Sequence, residues 1–271
     1  MANLPDIARV EEIMRDIADS EIMSRFRTLD DDEVWHKKPG DIATIADIES
    51  ERRLVEALCA LLPGSIVIAE EMAQHKDDIA RLLTGADPVW IIDPIDGTSN
   101  FAAGRDRFAV IVAFWHGGAV RAGWILAPAL GRIAVAEEGG GAWSGTTRLR
   151  AANAIPLDRT SGFIGRRLRE DKSIAERFGG IVNLRCCGLQ YLQLAAGESH
   201  FAHYRGLRPW DHAAGDLILR EAGGVSEGLD GQRYNPGAPD RHGLLAACGR
   251  TVWNGVADTI RPMVEGLPRP R

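Results

Sequence analysis

The chain has 271 residues, 45% of them apolar, and its 32 Lys and Arg face 38 Asp and Glu for a formal charge of −6. That apolar share is enough for a packed core and excludes a disordered chain. The mild acidity excludes a generic binder of nucleic acid or anionic membrane, whose affinity rests on a basic surface. No apolar run approaches the roughly 20 residues that span a bilayer, and the first residues alternate apolar with charged, unlike a signal peptide. Cys59, Cys186, Cys187 and Cys248 show no C-x-x-C spacing. They read as small core residues of a reduced, cytoplasmic protein.

Leu4, Ile7, Ile13, Met14, Ile17, Ile22 and Phe26 recur near the helical period and predict an amphipathic helix from residue 4 to about 28. Thr44 stands three residues before Asp47, a capping-box-like start for a second helix to about Leu62, which Pro63-Gly64 ends. Short β-rich runs at 65–71, 88–97, 108–115, 119–128 and 132–140 predict neighbouring strands of one large, mostly antiparallel sheet. Gly139-Gly140-Gly141 lies between strands with no Lys-Ser/Thr behind it, which makes it a hairpin turn and not a phosphate loop. Beyond about residue 151 strands and helices alternate. The strands are SGFIGRRL, IVNLRCCG, HFAHYRG and GLLAACG; the helices lie near 171–179 and 189–197, from Asp211 to Gly223-Gly224, and over 252–265. The reading is an α/β body of about four layers or more, with halves 1–150 and 151–271 packed closely on each other.

The segment Trp90–Asn100, WIIDPIDGTSN, is the most informative. Strand residues three apart point to opposite faces, so Asp93 and Asp96 meet at one point only if Pro94 and Gly97 force a sharp turn. Gly97 and Thr98 then offer backbone N–H groups, and a helix starting at Thr98 turns its positive end the same way. Glu70-Glu71 ends a strand and Asp211 opens a helix. Such a cluster stays ionised only around something positive. Oxygen ligands alone indicate a hard ion, Mg²⁺ before Mn²⁺, with a phosphate beside it.

Glu70-Glu71, WIIDPIDGTSNF (90–101) and WDHAAG (210–215) running on to Glu221-Ala222-Gly223-Gly224 resemble the three signature blocks of the inositol monophosphatase family, and DIATIAD (41–47) resembles its lithium-sensitive-phosphatase segment. The resemblance spans nearly the whole chain. It implies a layered αβαβα sandwich and hydrolysis of a small phosphate monoester by metal-activated water, with two to three Mg²⁺ per site. By position it places Glu70, Asp93 and the Ile95 carbonyl on a first metal, Asp93, Asp96 and Asp211 on a second, and Glu70 on a third. It also implies that Thr98 and Asp47 orient and deprotonate the attacking water, that the Gly97 and Thr98 amides hold the phosphate, and that the protein is a homodimer; the acidic balance adds the expectation of no direct nucleic-acid partner.

One position departs from inositol-specific members, in which a glutamate seven residues before the W-D aspartate contacts the sugar ring. Here Tyr204 stands there, followed by Arg205, with Arg208 near Asp211. Gly188 and Gln190 fall where relatives line the ring pocket. The substrate range therefore runs from sugar and inositol monophosphates to histidinol phosphate and nucleotide 3′-phosphates, with preference for an aromatic or additional anionic part. The reading from another class is a regulatory protein acting by contact with a transcription complex. Taken as isolated features, Asp93 and Asp96 are a turn after a strand, Asp211 an N-cap and Asp47 the third residue of a capping box; His200 and His203 face opposite sides of a strand and do not pair on a metal.

Overall fold

The computed structural model describes residues 4–38, 41–72, 76–237 and 243–266. Helix α1 (Ile7–Ile17) is capped by Asp6, whose carboxylate accepts from the Ala8 and Arg9 amides at 3.0 and 3.1 Å. It buries Val10, Ile13, Met14 and Ile17, the i, i+3, i+4, i+7 stripe. The predicted continuation to residue 28 is not α-helical: a π turn (Ala18–Ile22) and a 3-10 turn (Met23–Arg25) follow, and Phe26 is extended. A hairpin of β1 (Val34–Lys38) and β2 (Asp41–Thr44) leads into α2 (Ile45–Leu61), where Thr44 and Asp47 form the reciprocal capping box.

The predicted strand run is β3 (Ile66–Ala69), β4 (Val89–Asp96), β5 (Ala109–His116), β6 (Ala119–Ala127) and β7 (Arg132–Glu137), with helix α3 (Lys76–Thr84) after β3 and the short α4 (Thr98–Ala102) after β4. Two small strands, β8 (Gly141–Ser144) and β9 (Thr147–Arg148), extend it beyond the glycine turn. Among the described residues these strands form one sheet in sequence order, antiparallel throughout except for the parallel pair β3 and β4.

The second part runs β10 (Ser161–Phe163), α5 (Arg166–Glu170), α6 (Lys172–Ala175), β11 (Gly180–Val182), α7 (Cys187–Ala195), β12 (Phe201–Tyr204), α8 (Pro209–Glu221), β13 (Val225–Gly228), β14 (Leu244–Ala247) and α9 (Arg250–Glu265). The strands form a mixed sheet of order β11-β10-β12-β14-β13. The stretch read as one strand, SGFIGRRL, keeps only three strand residues, because the chain turns into α5 at Arg166.

Side-chain alternation decides the layering. In β4 Trp90 and Ile92 pack with α1 and α2, while Ile91 faces the core shared with α7 and α8. In the second sheet Ala202, Tyr204, Leu244 and Ala246 face that same middle core, and Phe201, Leu245 and Ala247 pack with α9. The result is helices, sheet, helices, sheet, helix: the αβαβα sandwich that the resemblance implies. No helix among the described residues is long and apolar enough to cross a membrane.

Candidate active site

The expected sharp turn at Pro94 is a bulge within β4. The pairing of β4 with β5 shifts register between Asp93 and Asp96, where Pro94 has no N–H to give the ladder. The chain turns one residue later, at Gly97, whose φ of +90° lies in the left-handed region. A Cβ there would stand 2.8 Å from the Arg107 carbonyl, so neither the backbone nor the space admits another residue. Helix α4 starts at Thr98, and Asn100 ties it down by donating to the carbonyls of Arg107 and Leu184 at 2.7 and 2.9 Å.

Four carboxylates from three places in the chain converge. Asp93 and Asp96 are buried at the end of β4, Glu70 follows β3, and Asp211 lies in the first turn of α8, behind Pro209 and Trp210. Asp93 is pushed well above the ordinary carboxylate range by burial first and then by the charges of Glu70, Asp96 and Asp211. Burial likewise raises Asp211, with Asp96 and Glu70 adding to it. Glu70 rises to about 7 through burial, against the attraction of Lys37 and Arg208. Asp93 Oδ1 is buried with no hydrogen-bond partner. An orphaned carboxylate oxygen among mutually repelling carboxylates fits a hard divalent cation, which the all-oxygen donor set also favours.

Asp96 is held differently. Its Oδ2 accepts from the Gly188 amide at 2.5 Å and from the Cys186 thiol at 3.0 Å, both at the start of α7. Burial raises its pKa, and these donors work against that rise. Gly188 thus orients a carboxylate; a Cβ on it would meet Ala109 at 2.9 Å.

Asp47, wholly buried, receives the Thr44 amide and hydroxyl on Oδ2 at 2.8 and 2.5 Å, leaving Oδ1 toward Thr98. The Thr98 hydroxyl lies 3.2 Å from Asp47 Oδ1 and 2.9 Å from the Ile95 carbonyl, so its one hydrogen serves one acceptor at a time. Burial lifts Asp47 to about 7.

Several supporting residues carry no sequence motif. Glu51, also raised to about 7 by burial, accepts the Glu71 amide at 2.8 Å and fixes the chain after β3. Lys37 pairs with Glu71 and lies 3.9 Å from Glu70. Cys187, Asp211 and His212 offer ligand atoms within 4.8 Å of one another. The histidine is nevertheless engaged at both nitrogens, Nε2 with the Gly206 carbonyl at 2.9 Å and Nδ1 with the Tyr191 hydroxyl at 3.1 Å, and burial lowers its pKa to about 4.

The pocket reading of Tyr204 needs correction. Its ring stacks on Tyr191 at 5.2 Å and packs on His212 at 4.7 Å, so it offers no free face to an aromatic substrate. It is drawn inside because β12 turns Ala202 and Tyr204 toward the middle core. Gln190 is buried on α7, and Arg205 is half-buried just beyond β12. Arg208 lies over Trp210, with its guanidinium carbon 5.6 Å from the ring, and its charge reaches Glu70 and Asp211.

The fold is that of a class of phosphatases, hydrolases of phosphate monoesters. The inositol monophosphatase family model matches residues 6–261, and the chain belongs to that family. It is 35% identical to the fructose-1,6-bisphosphatase/inositol-1-monophosphatase of Thermotoga maritima, over 73% of this chain and 77% of that one. It is 34% identical to the inositol-1-monophosphatase of Mesorhizobium japonicum, over 72% and 75%, and 32% identical to the Nus factor SuhB of Salmonella typhimurium, over 79% and 82%. A solved Thermotoga maritima IMPase superposes with a TM-score of 0.82 at 28% identity, covering 94% of this chain and 96% of that one.

Proposed function

We propose that the protein hydrolyses a small phosphorylated alcohol, a sugar or inositol-like phosphate, in a Mg²⁺-dependent reaction at the β4–α8 site. The convergence of Glu70, Asp93, Asp96 and Asp211, with an orphaned oxygen on Asp93, carries this reading. Glu70, Asp93, the Ile95 carbonyl, Asp96 and Asp211 would hold the divalent cations. When bound, these supply Lewis acidity toward water and the phosphate oxygens. The chain's own contribution begins with Asp47. A base near pH 7 is well matched to taking a proton at neutral pH, and Asp47 Oδ1 is the acceptor toward which the Thr98 hydroxyl is set. Thr98 accepts the proton of the attacking water as its own hydrogen moves from the Ile95 carbonyl to Asp47. Gly97 and Thr98 present amides to the phosphate. Cys186 and Gly188 keep Asp96 from rotating away.

Arg208 makes the reading more specific. Its positive charge at the edge of the acidic cluster favours a substrate with a second anionic group over a neutral polyol phosphate. Phosphate release from inositol 1-phosphate, fructose 1,6-bisphosphate, histidinol phosphate and a 3′-phosphonucleotide, with Mg²⁺ and with chelator, tests both levels. Turnover that needs metal supports the hydrolase, and a kcat/KM advantage of about tenfold for the bisphosphate that Arg208→Gln abolishes supports the specificity. Turnover indifferent to chelator overturns the first, and an advantage untouched by Arg208→Gln the second. Relatives named Nus factor give the contact-acting reading its own test: on that reading, function in cells survives Asp211→Asn.

A further inference from the structure

Three parallel strands of the second sheet end on the edge that builds the site. β10 lies between β11 and β12, parallel to both, and Phe163 is the register partner of Val182 on one side and of Ala202 on the other. The chain after β11 leads to Gly188, whose amide holds Asp96, and the chain after β12 leads to Asp211. Open sheets of this kind receive ligands at the carboxyl ends of their strands.

Three residues beyond that register row, each of the three chains carries an arginine: Arg166 after Phe163, Arg185 after Val182 and Arg205 after Ala202. Neighbouring strands lie about 4.8 Å apart, so the row from which these arginines leave the sheet is about 10 Å wide. Residues 161–185 hold six Lys and Arg against three Asp and Glu, in a chain whose formal charge is −6. The edge is therefore basic where the molecule as a whole is acidic.

Arg166 is exposed and pairs with Glu170 at 3.4 Å, with both side chains well exposed, a contact that a ligand displaces at small cost. Arg185 is also exposed, and its guanidinium makes no hydrogen bond or ion pair among the described residues. Its backbone has a φ of +54°, in the left-handed region. Asn183 Oδ1 accepts its amide at 2.7 Å, and Asn100 donates to its carbonyl at 3.3 Å. Glycine takes this conformation freely and arginine only at a cost, so a guanidinium stands where the backbone alone disfavours one. Gly188 is three residues further on, at most about 11 Å away along the chain, a reach that a small phosphorylated sugar covers.

We propose that this row is a second-anion subsite, in which Arg166 and Arg185 hold the far phosphate of a bisphosphorylated substrate while its other phosphate sits at the carboxylate cluster. A phosphate takes a planar guanidinium on each side through paired N–H···O contacts. Arg166, on the middle strand, stands between the two segments that supply Gly188 and Asp211. The inference rests on the phosphatase reading and gives the second anion a place at the β10–β11 end.

Two measurements on the full chain test it. With Mg²⁺, kcat/KM for fructose 1,6-bisphosphate falls at least tenfold in Arg166→Ser and in Arg185→Gly, the latter keeping the left-handed backbone. For inositol 1-phosphate it falls less than threefold in each. Arg177→Ser removes the same charge at the amino end of β11, on the opposite edge, and leaves the ratio of the two as in wild type. Calorimetric titration with fructose 1,6-bisphosphate, with Ca²⁺ in place of Mg²⁺, shows saturable binding that Arg166→Ser weakens at least tenfold. Absence of metal-dependent turnover of both esters overturns the phosphatase reading, and the titration then judges the subsite by itself. Equal losses for the two esters overturn the subsite. So do an Arg177→Ser effect as large as that of Arg166→Ser, and a titration without binding or with binding that Arg166→Ser leaves unchanged.

Discussion

Asp93 is buried where no neutral neighbour receives it, with one oxygen unpartnered and carboxylates on several sides. Substituting asparagine removes charge from the reaction and repulsion from the metal-free fold at once. Asp93→Asn is expected to lower kcat by on the order of 10³-fold or more, while the chelator-treated variant melts no lower than wild type; kinetics and a thermal melt on one preparation check both. Thr98→Ala keeps the amides and removes the hydroxyl set between Asp47 and the Ile95 carbonyl. Its kcat should fall with KM nearly unchanged, whereas a rise in KM alone would assign Thr98 to holding substrate. Cys186 acts through Asp96, as a thiol donor 3.0 Å from Oδ2. Cys186→Ala should raise the Mg²⁺ concentration for half-maximal activity by about tenfold, and Cys186→Ser, which keeps a donor, should restore it. The carboxylates were legible because D-P-x-D-G-T and W-D-x-A-A-G set them at a strand end and a helix start. Cys186 and Glu51 were not, since their roles exist only once α7 meets β4 and α2 meets the chain after β3.

At the scale of elements, α8 carries Asp211 into the site only because it lies close against α7. Gly215 is the point of approach: a Cβ there would stand 2.1 Å from the Tyr191 ring. Alanine favours a helix over glycine by roughly 0.5–1 kcal/mol, but forcing a methyl into a packed contact costs typically 1–3 kcal/mol. Gly215→Ala should therefore destabilise in urea unfolding. Gly255 in α9 is the contrast, because a Cβ there meets only Leu157 at 3.5 Å; Gly255→Ala should stabilise by roughly 0.5 kcal/mol. The same balance separates the elements that could be read from those that could not. The Thr44–Asp47 box marked the start of α2, and alternating apolar runs marked β3 to β7. The β1–β2 hairpin lies in a polar stretch with no period, and β8 and β9 are four and two residues long, too short for a period to show. Their pairing is decided by the sheet they join.

For the whole molecule, the site ties stability to pH and to metal. Asp47 and Glu51 are raised to about 7, chiefly by burial, from ordinary values of 3.8 and 4.5. Between those values and 7 the native state keeps protons that the unfolded chain has released. Stability from these groups is therefore fully present below about pH 4 and is lost as pH rises toward 7. The carboxylates with lowered pKa, Glu21 beside Arg53 and Glu227 beside Arg250, act only at lower pH, so they do not offset the loss. In chelator the melting temperature should accordingly fall from pH 5 to pH 8. A divalent cation that binds only the native state adds about 2.7 kcal/mol at about 100 times its Kd, or roughly 5–10 °C for a chain of this size. Saturating Mg²⁺ at pH 8 should recover that much and flatten the pH dependence, because it replaces the missing protons as the positive partner of the cluster. Melts at pH 5 and pH 8, each with chelator and with Mg²⁺, check this in four scans. A melting temperature that climbs from pH 5 to pH 8 in chelator would show that these buried acids are not protonated in the metal-free fold. A melt at pH 8 that ignores Mg²⁺ would remove the carboxylate cluster as a metal site.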